Sequence, residues 1–181
     1  MTFRRVLQAV AIVAATPVLL GAQSRQELLS LLGKTVSGTV ISIADGDTVR
    51  LRLDGRGQII RVRLEGVDAP ERGEPFSVQS RNATRVMLFQ KRVQAKATDV
   101  DKFDRLVARL SVNGADSSVQ LVESGLACHF TRFANDPLLA QAQLAARSAG
   151  RGFWATGAGK PACVKFTNAA ASRVRRQTPP R

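Results

Sequence analysis

With 181 residues, 44% of them apolar, the chain is sized for one domain with a buried core, which excludes both wholesale disorder and a large multidomain assembly. Lysine and arginine number 27 against 14 acidic residues, a formal charge of +13, so a polyanion is the expected partner, either nucleic acid or an anionic membrane surface. Two cysteines and one histidine are too few for a closed structural zinc site, which takes four nitrogen or sulfur ligands.

Residues 1–22 have the form of an export signal. Arg4 and Arg5 precede an apolar run from Val6 to Leu20, and the small pair Gly21-Ala22 follows it. Gln8 and Pro17 interrupt that run, which falls short of the roughly 20 apolar residues a spanning helix needs; a retained anchor is the alternative. A secreted or periplasmic location follows from this reading. Residues 23–34 form a lead-in, with a short helix over Arg25–Leu32.

The main domain is expected over residues 35–156. Val36–Ile43 is rich in β-branched residues and reads as a strand. Ala44-Asp45-Gly46 is a turn, and Thr48–Leu53 then alternates apolar and charged residues, as in a strand with one buried face. After a second turn at Asp54–Gly57, Ile59–Leu64 completes a three-stranded meander. Pro75–Gln90 reads as a helix with an approximate apolar face of Val78, Ala83, Val86, Met87 and Leu88. Val93–Val100 and Leu106–Val112 are the fourth and fifth strands, and a second helix runs from Ser118 to about Gly125. The third, Pro137–Ser148, is the most clearly punctuated, with Asp136 at its N-cap, Pro137 in its first turn and Gly150 past its end. Residues 157–181 form a C-terminal extension whose last stretch, with Arg173, Arg175, Arg176 and Arg181, reads as a disordered basic tail. The inventory is α+β and fits a five-stranded oligonucleotide-binding (OB) β-barrel with three helices packed outside, among other α+β arrangements.

Three charged clusters stand out. In Asp45-Gly46-Asp47-Thr48, two carboxylates flank a glycine and suit a hard cation, although Asp-Gly between strands is also an ordinary hairpin turn. The segment from Arg63 to Glu71 carries one arginine out of a strand and sets Asp68 and Glu71 around Pro70, which holds its predecessor extended. Asp101-Lys102-Phe103-Asp104-Arg105 is a polar turn feeding the fifth strand. Each has a bland reading as a charged loop or hairpin. Together they supply what phosphodiester hydrolysis needs: oxygen ligands for a divalent cation, arginines for the phosphoryl oxygens, and a carboxylate to orient water.

From Val36 to Trp154 the chain resembles the staphylococcal nuclease (thermonuclease) family. The resemblance rests on those clusters, with the Val67-Asp68-Ala69-Pro70-Glu71 core, and on Ser124-Gly125-Leu126-Ala127 and Gly150-Arg151-Gly152-Phe153-Trp154, in order and spacing. It implies the OB barrel with three helices and calcium-dependent hydrolysis of DNA or RNA. It implies calcium (Ca2+) ligation by Asp47, Asp68 and the main-chain carbonyl of Ala69, with Asp45 in an outer position. Glu71 falls on the water-orienting or general-base position, and Arg63 and Arg105 on the two arginines that contact the scissile phosphate. Lys102 matches a position approaching the substrate's terminal phosphate. Phe103 stands where members carry a tyrosine, and Phe130, Thr131 or Phe133 lies near a second; this chain has no tyrosine, and phenylalanine stacks on a base without a hydroxyl to offer phosphate.

Cys128 and Cys163 form an isolated pair, most simply a disulfide in an oxidising compartment, with two unpaired thiols as the alternative. No stable protein partner is implied, and the chain is expected to be a monomer. Two other functions compete: a non-catalytic OB-fold module that binds nucleic acid, and a basic protein acting on anionic lipids or cell-wall polymers. Neither accounts as fully for the ordered set of acids and arginines.

Overall fold

The computed structural model describes residues 25–131 and 135–164. The proposed export signal, Phe133 and the basic tail lie outside the described residues. A short helix, α1 (Arg25–Leu29), buries Leu28 and leads into β1 (Thr35–Ile43), β2 (Thr48–Leu53) and β3 (Ile59–Leu64). Next come β4 (Val67–Asp68), α2 (Ser77–Leu88), β5 (Arg92–Val100) and β6 (Leu106–Val112). The chain ends with β7 (Ala115–Asp116), α3 (Ser117–Glu123), β8 (Cys128–His129), α4 (Pro137–Ser148) and a 3-10 turn at Gly152–Trp154.

Strand alternation builds the barrel. In β2 the side chains of Val49, Leu51 and Leu53 point inward while Arg50 and Arg52 face solvent, the period of two that a one-sided sheet requires. β1 pairs antiparallel with both β2 and β5, β2 with β3, and β5 with β6. A parallel pairing of β3 with β6 closes the sheet into a five-stranded barrel and aligns Arg63 with Val107. Register shifts in β1 between Val40 and Ser42, and in β5 between Ala97 and Asp99, bend the two strands that must curve most. The fully buried interior includes Val40, Leu51, Ile60, Val62, Leu106 and Leu110.

Two helices, α3 and α4, are fastened at their N-termini. Asp116 accepts from the amides of Ser118 and Val119, and Asp136 from those of Leu138 and Leu139, satisfying donors that have no partner within the helix. Arg109, on β6, ion-pairs with both capping carboxylates and so binds α3 and α4 to the barrel wall. The apolar face expected for α2 holds for Ala83, Met87 and Leu88, which pack on the core, and is corrected at Val78 and Val86, which are exposed; Ser80 and Thr84 are buried in addition. These two polar residues pack against the turn that begins the candidate site.

Phe153, Cys128, Cys163 and Val164 form a second, smaller cluster with Phe76 and Trp154 against it. Cys128 and Cys163 are joined by a disulfide. Among the described residues no helix is long and apolar enough to cross a membrane.

Removing the bridge frees a closed loop set by a sequence separation of 35 residues. Loop-closure entropy puts its contribution at about 3–4 kcal/mol. Cys163→Ser is therefore expected to lose that much unfolding free energy in chemical denaturation. Thiol titration of the unfolded, unreduced protein is expected to find no free thiol.

Candidate active site

The β1–β2 turn must pass under α2 and the segment after β4, and only glycine fits there. A Cβ on Gly46 would lie 2.0 Å from Ser80 Oγ and 2.7 Å from Ala69 Cβ. Thr84 Oγ1 donates to the Gly46 carbonyl at 2.6 Å, so the buried polar face of α2 holds the turn. Asp45 Oδ1 accepts from the Asp47 amide at 3.1 Å, the side-chain-to-backbone bond that closes such turns.

Asp47 is 3% exposed, and all its carboxylate bonds come from the protein. Oδ1 accepts from Arg63 Nη1 at 2.8 Å and from Thr48 Oγ1 at 3.0 Å; Oδ2 accepts from the Ala69 amide at 2.9 Å. Arg63 also donates from Nη2 to Asp68 Oδ1 at 3.1 Å and to the Val67 carbonyl at 3.2 Å. Asp47 and Asp68 are thus brought together through one guanidinium. Burial, reinforced by neighbouring Asp45, pushes the Asp47 carboxyl up to about 7 against the pull of Arg63 and the Ala69 amide. Arg63 is held above its ordinary range, because Asp47 and Asp68 outweigh the burial that would lower it.

Arg105 immediately precedes β6, the strand paired with β3. Asp101 Oδ2 accepts from its Nε at 2.7 Å, and its Nη1 donates to Thr48 Oγ1 at 3.2 Å. Asp101 Oδ1 also receives the amides of Phe103 and Arg105; burial would raise this carboxyl, but those bonds hold it below the usual range. Thr48 therefore links Arg105 to Asp47. Glu71 is exposed, and its amide donates to Glu74 Oε2 at 2.9 Å, while Glu74 Oε1 accepts from Ala162 at 3.1 Å.

These pieces surround one cavity of about 760 Å³, lined among others by Arg63, Asp68, Glu71, Lys102, Phe103 and Arg105. Asp45, Asp47 and Ala69 lie behind its wall rather than on it. Phe103 is 56% exposed, with Lys102 Nζ 5.0 Å and Arg105 Cζ 5.4 Å from its ring centre. Phe130 also lines the cavity, whereas His129 is buried in β8 and does not.

Reading the sequence alone missed Thr48, Asp101 and Glu74. Thr48 and Asp101 sit inside motifs that were singled out, yet their roles depend on β2, β3 and β6 being neighbours. Glu74 has no sequence signal, since one of its partners lies 88 positions away.

Among the described residues, no group of three or more His, Cys, Asp or Glu is placed to hold a metal ion. The donors present are the carboxylates of Asp47 and Asp68 and the carbonyl of Ala69, all oxygen, which is the chemistry hard cations such as calcium prefer. Asp68 Oδ2 takes no hydrogen bond among the described residues, so it is open to such a cation.

A closed five-stranded barrel with arginines and carboxylates converging on one cleft defines an α+β OB-fold protein. Residues 61–156 match the model of the staphylococcal nuclease homologue family, more than half of the chain, and the protein belongs to that family. An "uncharacterized endonuclease" of Haemophilus influenzae is 31% identical over 116 residues, 64% of this chain and 65% of that one. A "probable staphylococcal-like nuclease" of Oryza sativa subsp. japonica is 32% identical over 135 residues, 75% of this chain and 34% of its own length. An "uncharacterized endonuclease" of Escherichia coli is 28% identical over 120 residues, 66% and 77% respectively. The chain thus spans just under two thirds of the first relative and about a third of the rice protein.

Because the folded Asp47 carboxyl titrates near 7 rather than at 3.8, the native state keeps a proton that the unfolded chain has already lost between those values. That contribution to stability is fully present below about pH 4 and is lost as the pH rises through about 7. Asp47→Asn is expected to flatten this part of the pH dependence, as read from thermal melting between pH 4 and 8.

Proposed function

We propose that this protein is an exported, calcium-dependent nuclease that hydrolyses phosphodiester bonds in DNA or RNA. The observation that carries the reading is the convergence of Arg63, Asp68, Glu71 and Arg105 on one cavity, with Asp47 directly behind. The printed names of the relatives, endonuclease and staphylococcal-like nuclease, support the same activity.

The roles follow from position and chemistry. Asp47, Asp68 and the Ala69 carbonyl would hold the calcium ion, which supplies Lewis acidity toward a phosphoryl oxygen. Arg105, fixed by Asp101 and Thr48, presents its remaining donors to a phosphate in the cavity, and Arg63 binds the same group from the adjacent strand. Both then stabilise the extra negative charge of the five-coordinate transition state. Glu71, solvent-exposed at the rim, orients the attacking water and accepts its proton. Lys102 and Phe103 hold the flanking nucleotide by charge and by stacking.

One observation favours the non-catalytic alternative. Arg63 is already neutralised by Asp47 and Asp68, as in a purely structural ion-pair network. Turnover decides between the two. Single-stranded DNA is expected to be cut in calcium and left whole in excess chelator. Glu71→Gln is expected to abolish most turnover while keeping DNA binding; full activity in that variant would remove its assigned role. Arg63→Ala and Arg105→Ala should each lower kcat by about 10²–10³-fold.

A further inference from the structure

The outward face of the β2–β3 ribbon carries a row of arginines that the site does not use. Arg63 faces outward from β3, and one step along the same face, two residues away, stands Arg61. Arg50 is directly opposite Arg61 in the ladder, and Arg52 is opposite Ile59 one step further on. Arg56 follows in the turn joining the two strands. Arg50, Arg52, Arg56 and Arg61 are all exposed. Among the described residues the side chains of Arg50, Arg52 and Arg56 make no hydrogen bond, ion pair or ring contact. Arg61 donates to the carbonyls of Phe103 and Asp104, tying this face to the hairpin at the cavity rim.

Two like charges directly opposite in an antiparallel ladder cost stability, and Arg50 faces Arg61 with no carboxylate between them. The only acid of the joining turn, Asp54, is engaged by Arg92 on β5. Beside this ribbon β1 contributes small hydroxyl side chains, Thr39 opposite Arg52 and Ser42 opposite Arg50. The surface is therefore cationic and adjoins the cavity through Arg63 and Phe103. Successive outward positions on a strand are about 6.6 Å apart, close to the spacing of phosphates in an extended single strand, so the row spans roughly 13 Å beyond Arg63.

Resting on the nuclease reading, we propose that the outer face of the β2–β3 ribbon, through Arg50 and Arg52, binds the phosphate backbone of a single-stranded nucleic acid one to two nucleotides beyond the cavity. The consequence is a preference for long polymers over short fragments. A row that follows one strand from the cavity fits a linear polyanion; an anionic bilayer would engage scattered cations with exposed apolar residues beside them, and on this ribbon only Ile59 is of that kind.

The test is fluorescence anisotropy with labelled oligothymidylates of twenty and of four nucleotides, in chelator, with salt varied. The variants are Arg50→Gln/Arg52→Gln and, as a control of equal charge loss, Arg81→Gln/Arg85→Gln on α2, with melting of the ribbon variant at or above that of the unaltered protein confirming the fold. The ribbon variant is expected to bind the twenty-mer roughly ten-fold more weakly, with a salt slope shallower by about 1.4, or about 0.7 for each phosphate that is no longer neutralised. Its affinity for the four-mer, and both affinities of the control, are expected to hold. Unchanged twenty-mer affinity and slope in the ribbon variant, or an equal loss in the control, would overturn the proposal. So would loss of binding to phosphatidylglycerol vesicles with twenty-mer affinity retained. If the unaltered protein binds the twenty-mer through these arginines yet never cuts it in calcium, the track stands and the nuclease reading falls.

Discussion

A carboxylate withdrawn from water must be met by donors on every side, and Asp47 is met by three separate segments of the chain. The guanidinium comes from β3, a hydroxyl from the next residue on β2, and an amide from the segment following β4. None of these segments could shift without leaving a buried acid short of a partner, a loss of order 1–3 kcal/mol for each bond. The placement of Asp68 and Ala69 beside the β1–β2 turn is therefore enforced by the same bonds that make Asp47 tolerable. α2 supports the arrangement from outside, turning Ser80 and Thr84 toward the turn where an ordinary amphipathic helix would bury aliphatic side chains.

The second organising element is the parallel contact between β3 and β6. It brings two arginines that are 42 positions apart onto neighbouring strands, where Thr48 can touch both Asp47 and Arg105. Single carboxylates hold more than one part of the site. Asp101 fixes Arg105 by its side chain and, with its other oxygen, fixes the backbone that presents Lys102 and Phe103. Glu74 similarly joins the Glu71 loop to the C-terminal segment near Cys163.

Much of this was legible in the sequence. β2 and β3 could be read because Arg50, Arg52, Arg61 and their apolar neighbours alternate without interruption, β1 because it is rich in β-branched residues, and α4 because Asp136, Pro137 and Gly150 punctuate it. The two-residue strands β4, β7 and β8 could not, since a periodicity needs more than one repeat. Val78 and Val86 misled for a physical reason: periodicity reports apolar burial, and part of the buried face of α2 is polar, with Ser80 and Thr84 against the β1–β2 turn beside the apolar Ala83, Met87 and Leu88. In the site, the acids and arginines were visible as residue types. Their mutual neutralisation was not, because it depends on the closing strand pair and on which side chains share one guanidinium.

That closing pair also divides the site into a stiff part and a soft part. Arg63 lies within a parallel ladder, its register with Val107 locked on both sides, so its amide opens only when much of the barrel unzips. Glu71 lies on an exposed loop tethered by the two oxygens of a single carboxylate, and its backbone opens at far lower cost. Arg63 thus sits on the stiff barrel framework, while Glu71, the group proposed to orient water, rides on a loop that opens at lower cost. Any relative motion between these two groups must therefore come from the Glu71 loop and not from Arg63.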